Sequence, residues 1–131
     1  MTLPAAFQTA APFGANIGGI NPAFVAIKPE AEFDSWLSVG PADGSAGGQI
    51  SSIGVDFAAW DETNGLTVDD GAVFWMDPDS GPSGHAVLAQ LTIPDGAALS
   101  ATMSAQGRSA GGAADWQAEG VEFSAGGHRR V

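Results

Sequence analysis

Leu99-Ser-Ala-Thr-Met-Ser-Ala-Gln106 alternates without a break. Leu99, Ala101, Met103 and Ala105 share one parity; Ser100, Thr102, Ser104 and Gln106 share the other. Successive side chains of a strand point to opposite faces, so this stretch predicts a strand with one dry face and one wet face. Working outward, Val87, Ala89, Leu91 and Ile93 form a second such set, and Ile53, Val55 and Phe57 a third. Ala72-Val-Phe-Trp-Met76 is apolar on both parities and reads as a central strand covered on both faces.

No long window free of Gly and Pro carries the apolar spacing of a helix. Short runs recur instead at 24–27, 33–39, 50–57, 72–76, 86–93, 99–106 and 116–123. Their spacing is close to the roughly 8–12 residues of a sandwich or barrel. Gly40-Pro-Ala-Asp-Gly44 and Pro94-Asp-Gly96 carry turn chemistry, Asp79–Gly84 reads as a loop, and Ser109–Ala114 reads as a flexible connection. The expected fold is all-β: an antiparallel β-sandwich, jelly-roll-like, of about seven or eight strands.

Residues 1–27 carry no side-chain charge, but three prolines and several Gly and Asn residues interrupt them, so neither a membrane span nor a signal peptide is expected. Three parts are expected: an extended arm over 1–23, the β-sandwich domain over 24–124, and a flexible tail over 125–131. The tail holds His128, Arg129 and Arg130, the chain's one cationic cluster.

Lys28, Arg108, Arg129 and Arg130 are the only Lys and Arg residues, against 15 Asp and Glu, for a net charge of −11. Such a field repels phosphate backbones and anionic lipid, so nucleic-acid binding and direct lipid binding are excluded; divalent cations and basic partners are attracted. With 44% hydrophobic residues the chain has the material for a core, so its acidity does not imply disorder. The absence of Cys rules out thiolate metal clusters, a thiol nucleophile and disulfides.

The densest acidic stretch holds Asp56, Asp61, Glu62, Asp69, Asp70, Asp77 and Asp79. Asp61-Glu-Thr-Asn-Gly65 and Asp77-Pro-Asp-Ser-Gly81 place oxygen ligands at alternate positions before a Gly, as calcium's need for hard oxygens in a tight turn requires. Asp61, Asn64, Asp69, Asp70, Asp77 and Asp79 are therefore candidate calcium ligands. The competing reading is solvated loop carboxylates in Asx-turns, because neither segment has full calcium-loop spacing. Trp36, Trp60, Trp75 and Trp116 are many for this length. Trp36 differs in parity from its apolar neighbours and Trp60 precedes an acidic loop, so these two are candidate sugar-stacking rings; inter-sheet packing is the alternative. Trp75 is assigned to the core.

No nucleophile elbow and no paired-histidine metal motif occurs, and loop carboxylates this common do not specify glycoside hydrolysis. The chain is expected not to be an enzyme.

Phe33-Asp-Ser-Trp-Leu-Ser-Val-Gly40, Ile53-Gly-Val-Asp-Phe57, Gly71-Ala-Val-Phe-Trp-Met-Asp-Pro-Asp79 and Ala89-Gln-Leu-Thr-Ile-Pro94 resemble an uncharacterised β-sandwich domain of secreted or organellar proteins from marine microbes and algae. The resemblance spans roughly residues 24–123. It implies no catalytic residues, and it favours an adhesive or assembly role in an extracellular or organelle-lumen setting. The leading expectation is a non-enzymatic structural or interaction domain, a subunit or module of a larger assembly with protein partners. The alternative is a calcium-dependent carbohydrate-binding module that takes a glycan.

Overall fold

The computed structural model describes residues 1–45, 48–109, 111, 114–126 and 129–130. His128 and parts of the expected 109–114 connection and C-terminal tail lie outside the described residues. The chain is mostly β, and its described helices are short 3₁₀ turns at Pro22–Ala26, Pro29–Phe33 and Phe57–Ala59. None is long and apolar enough to cross a membrane.

The strands are β1 (Thr2–Leu3), β2 (Trp36–Gly40), β3 (Ile50–Ile53), β4 (Leu66–Thr67), β5 (Ala72–Trp75), β6 (Val87–Leu91), β7 (Ala98–Gly107), β8 (Trp116–Gly126) and β9 (Arg129–Arg130). They form a four-stranded sheet in the order β4-β1-β7-β8, a three-stranded sheet β2-β6-β9 and a two-stranded ribbon β3-β5. Every pairing between these strands is antiparallel.

The alternation at 99–106 produces the strand it predicts. Leu99, Ala101 and Met103 are buried, while Ser100, Ser104 and Gln106 are exposed. β8 pairs along nearly all of β7, with Ala101 opposite Phe123 and Met103 opposite Val121. Between Met103 and Ala105 the register shifts by one residue. Gly120 absorbs the extra residue at φ +61°, the left-handed conformation a bulge needs and Gly adopts without a Cβ penalty. Its N–H donates to Ser104 Oγ at 3.0 Å.

One hydrophobic cluster joins the sheets. Leu3, Leu66, Leu99, Ala101 and Met103 come from the four-stranded sheet; Leu37, Ala89 and Leu91 come from the three-stranded sheet; Trp60 and Ile93 come from the connections.

Four expectations are corrected. Residues 1–23 are not an extended arm. β1 lies between β4 and β7, Leu3 and Ala6 belong to the core, and the Met1 amino group donates to Val68 O at 2.9 Å. Farther on, Asp34 Oδ1 accepts from Thr9 N and Oδ2 from Ala15 N, each at 2.8 Å, and Ile17 forms a parallel bridge to Leu37. Pro and Gly prevent a long strand here, but the segment is apolar and its amides find individual partners, so it fills the core.

Next, 72–76 is not a central strand. β5 pairs only with β3, and Phe74 and Met76 are exposed while Val73 and Trp75 are half-buried. Among the described residues no third strand hydrogen-bonds to the ribbon, and its outward parity stays wet. Third, the backbone boundary expected near residue 124 is displaced. β8 continues to Gly126, and β9 pairs with β6 through Arg129 opposite Leu91 and Arg130 opposite Gln90. Residues 24–27, read as a strand, belong instead to a 3₁₀ turn that Asn21 caps through Ala23 N at 3.0 Å.

Candidate binding groove

Four separate segments converge on one concavity. A cavity of about 440 Å³ opens at the surface between Ala5, Ala6 and Phe7, the Pro29–Phe33 turn, the 61–64 turn, and the end of β6. Its lining is mainly apolar, through Phe7, Phe33, Ile93 and Pro94, with the carboxylates of Glu30 and Glu62 and the hydroxyl-bearing Thr92.

The backbone fixes these walls. Phe7 N–H donates to Thr92 O at 2.8 Å, and Ser35 N–H donates to Phe7 O at 3.1 Å. Thr92 N–H donates to Ser35 Oγ at 3.0 Å, so the segments around Phe7, Ser35 and Thr92 are mutually cross-linked. The buried Gln90 side chain donates to Glu32 O and Asp34 O, at 2.9 and 2.8 Å, which anchors the end of the 3₁₀ turn carrying Glu30 and Phe33. Pro at its first position favours that turn because its fixed φ suits it and its missing N–H is not needed there.

Asp61 builds the opposite wall. Its Oδ1 accepts from Thr63 N and Asn64 N at 2.8 Å, from Thr63 Oγ1 at 2.9 Å and from Asn64 Nδ2 at 3.1 Å. These donors, led by the Thr63 N–H, hold its carboxyl below the ordinary value. The turn is fastened to the groove floor by Ala6 N–H donating to Asp61 O at 3.0 Å. Asp61 and Asn64 thus form an Asx-turn that carries Glu62 to the rim. Glu30 forms an ion pair with Lys28 at 3.2 Å, and Lys28 Nζ also lies 5.9 Å from the centroid of the Phe13 ring. Among the described residues Glu62 has no ion pair. Thr92 Oγ1 is buried and has no hydrogen-bond partner.

The sequence-predicted site residues lie elsewhere. Among the described residues, no three Asp, Glu or His side chains gather into a metal-holding group. Asp77 makes a second local turn, accepting from Asp79 N and Ser80 Oγ, each at 3.0 Å, and the Asp79 N–H is the main cause of its lowered pKa. Asp79 pairs with Arg108 at 3.3 Å. Asp69 and Asp70 are exposed between β4 and β5.

Neither candidate sugar-stacking ring is available. Trp36 is 1% exposed, and with Leu37 and Ser38 also buried both parities of β2 are covered. Trp60 is 3% exposed, and its Nε1 donates to Pro4 O at 2.9 Å. Trp116 is the exposed tryptophan, at 46%.

The groove residues Phe7, Glu30, Phe33, Thr92 and Ile93 carry no local motif, and Glu62 is legible only as one acid among several. Their proximity arises from four chain segments that are distant in sequence. No family model matches the chain, and neither a curated protein nor a solved structure matches it.

Proposed function

We infer that the chain is a non-enzymatic interaction domain, a module or subunit of a larger assembly, which docks a protein partner in the groove between Phe7, Phe33, Glu62 and Ile93. In this reading the four-stranded and three-stranded sheets close as a sandwich on their shared core and serve as a rigid frame. The observation that carries it is a concave apolar surface whose walls are fixed by cross-segment hydrogen bonds before any partner arrives. Binding to such a preformed site avoids part of the ordering cost of association. Exposed Phe33 supplies the aromatic contact on which binding energy concentrates in interfaces.

Site-specific photocrosslinking in the native assembly tests the reading. A benzophenone side chain at Phe33 should capture the partner, and one at Trp116 on β8 should not. Capture from Trp116 with none from Phe33 would place the interface elsewhere and overturn the assignment.

A further inference from the structure

We propose that the groove receives an extended partner segment whose Arg or Lys side chain enters between Glu30 and Glu62, with flanking apolar side chains on Phe7, Phe33, Ile93 and Pro94. This rests on the groove being the docking surface and adds the chemistry of what docks.

Two observations point to a cation on an apolar body. Two acidic residues, Glu30 and Glu62, come from unconnected turns into a lining that is otherwise mainly apolar. The methylene stem of Arg or Lys packs on such a lining while its head seeks the acids. The pairing state of those acids leaves room for one more cation: Glu30 has Lys28, whereas Glu62 has no ion pair among the described residues.

The charge of the whole molecule agrees. At −11 it draws cationic segments in and steers acidic ones away. A second copy is a poor occupant, since two bodies of that charge repel. Lys28 is the built-in competitor, an internal cation already on one of the two acids.

The probe is a synthetic pentapeptide, acetyl-Gly-Leu-Arg-Leu-Gly-amide, titrated into the full chain and followed by amide chemical shifts. Control peptides carry neutral citrulline or Glu in place of Arg. The Arg peptide should shift the Ala6, Phe7 and Ile93 amides and bind about tenfold more tightly than the citrulline peptide, as expected for a charge-assisted hydrogen bond. The Glu peptide should not bind. Glu62→Gln should weaken the Arg peptide about fivefold and leave the citrulline peptide unchanged. Lys28→Met should tighten the Arg peptide, because Glu30 is released. Glu119→Gln on β8 should have no effect.

Equal affinity for the Arg and citrulline peptides, or shifts confined to β8, would overturn the proposal. So would an affinity unchanged in Glu62→Gln and unchanged again in Lys28→Met. If the benzophenone at Phe33 captures the partner while peptide charge makes no difference, the groove remains the docking site and the cationic ligand is wrong. If Phe33 captures nothing while Trp116 does, the docking site itself is wrong.

Discussion

Residues 1–23 contain a single two-residue strand, yet Leu3 is 2% exposed and Ala6 is 1%. The β3–β5 ribbon is paired at four consecutive positions, yet Ile53 is 67% exposed and Met76 is 58%. Regular backbone pairing and burial have come apart in this molecule. In the ribbon, Ile50 opposite Trp75 and Ser52 opposite Val73 turn toward the body, while Ser51, Ile53 and Phe74 turn away. Beyond β1 the amides of the N-terminal segment are satisfied one at a time: Thr9 and Ala15 N–H donate to Asp34, Phe7 N–H to Thr92 O and Gly18 N–H to Leu37 O. Stability follows removal of apolar area from water and not regularity, so the irregular segment should matter more than the regular ribbon.

Trp36 and Trp75 give the sharpest test of that comparison. Trp36 is the largest fully buried side chain, so Trp36→Ala should lose about 3–5 kcal/mol in urea denaturation. Trp75→Ala, in the half-buried ribbon, should lose clearly less. Equal losses at the two positions would show that the ribbon is as integral as β2.

Leu3→Ala probes the N-terminal segment directly and should lose about 2–5 kcal/mol, the range for deleting a buried Leu side chain. A change of only a few tenths would mean the segment packs weakly in spite of its burial.

The pH dependence separates two kinds of Asp. Burial raises the Asp34 carboxyl above its ordinary 3.8, against the lowering effect of the Thr9 and Ala15 N–H groups. The folded state therefore holds that proton more tightly, and this group favours folding increasingly as pH falls through its raised pKa toward 3.8. Asp34→Asn does not titrate, so wild type should gain stability relative to it over that window. Asp61 has the opposite sign. Its lowered pKa contributes stability above 3.8 that is lost as pH falls through the folded value. The advantage of wild type over Asp61→Ala should shrink there. Denaturation midpoints taken from neutral to acid pH check both signs.

The smallest effect is expected on the outward ribbon face. Ile53→Ser should change stability by no more than about 0.5 kcal/mol, as at an ordinary exposed position. A larger loss would mean that Ile53 is covered in solution.

Much of the sheet content was legible from the chain alone. The parity of Leu99, Ala101 and Met103 identified β7 and its buried face, because alternation is a local property of an extended backbone; Ala89 and Leu91 identified β6, but its opposite parity is covered too, with Gln90 3% exposed. Lack of helical spacing correctly excluded long helices among the described residues. The turn chemistry of Asp61 and Asp77 was also legible, since an Asx-turn needs only the next three residues.

What local sequence could not decide was which apolar segment is covered by which other. Trp36 differs in parity from Leu37 and still lies inside, because both faces of β2 are covered, with Trp36, Leu37 and Ser38 all buried. Ala72–Trp75 is apolar on both parities, yet Ala72 and Phe74 face out while Val73 and Trp75 are half-buried; among the described residues β3 is the strand hydrogen-bonded to it. The groove is the fullest case: the sequence determined the Phe7 ring, the Glu30 and Glu62 charges and the Thr92 hydroxyl, but only long-range contacts brought them to one cavity. Side-chain chemistry is fixed residue by residue, whereas proximity depends on how four distant segments pack, and no local pattern encodes it.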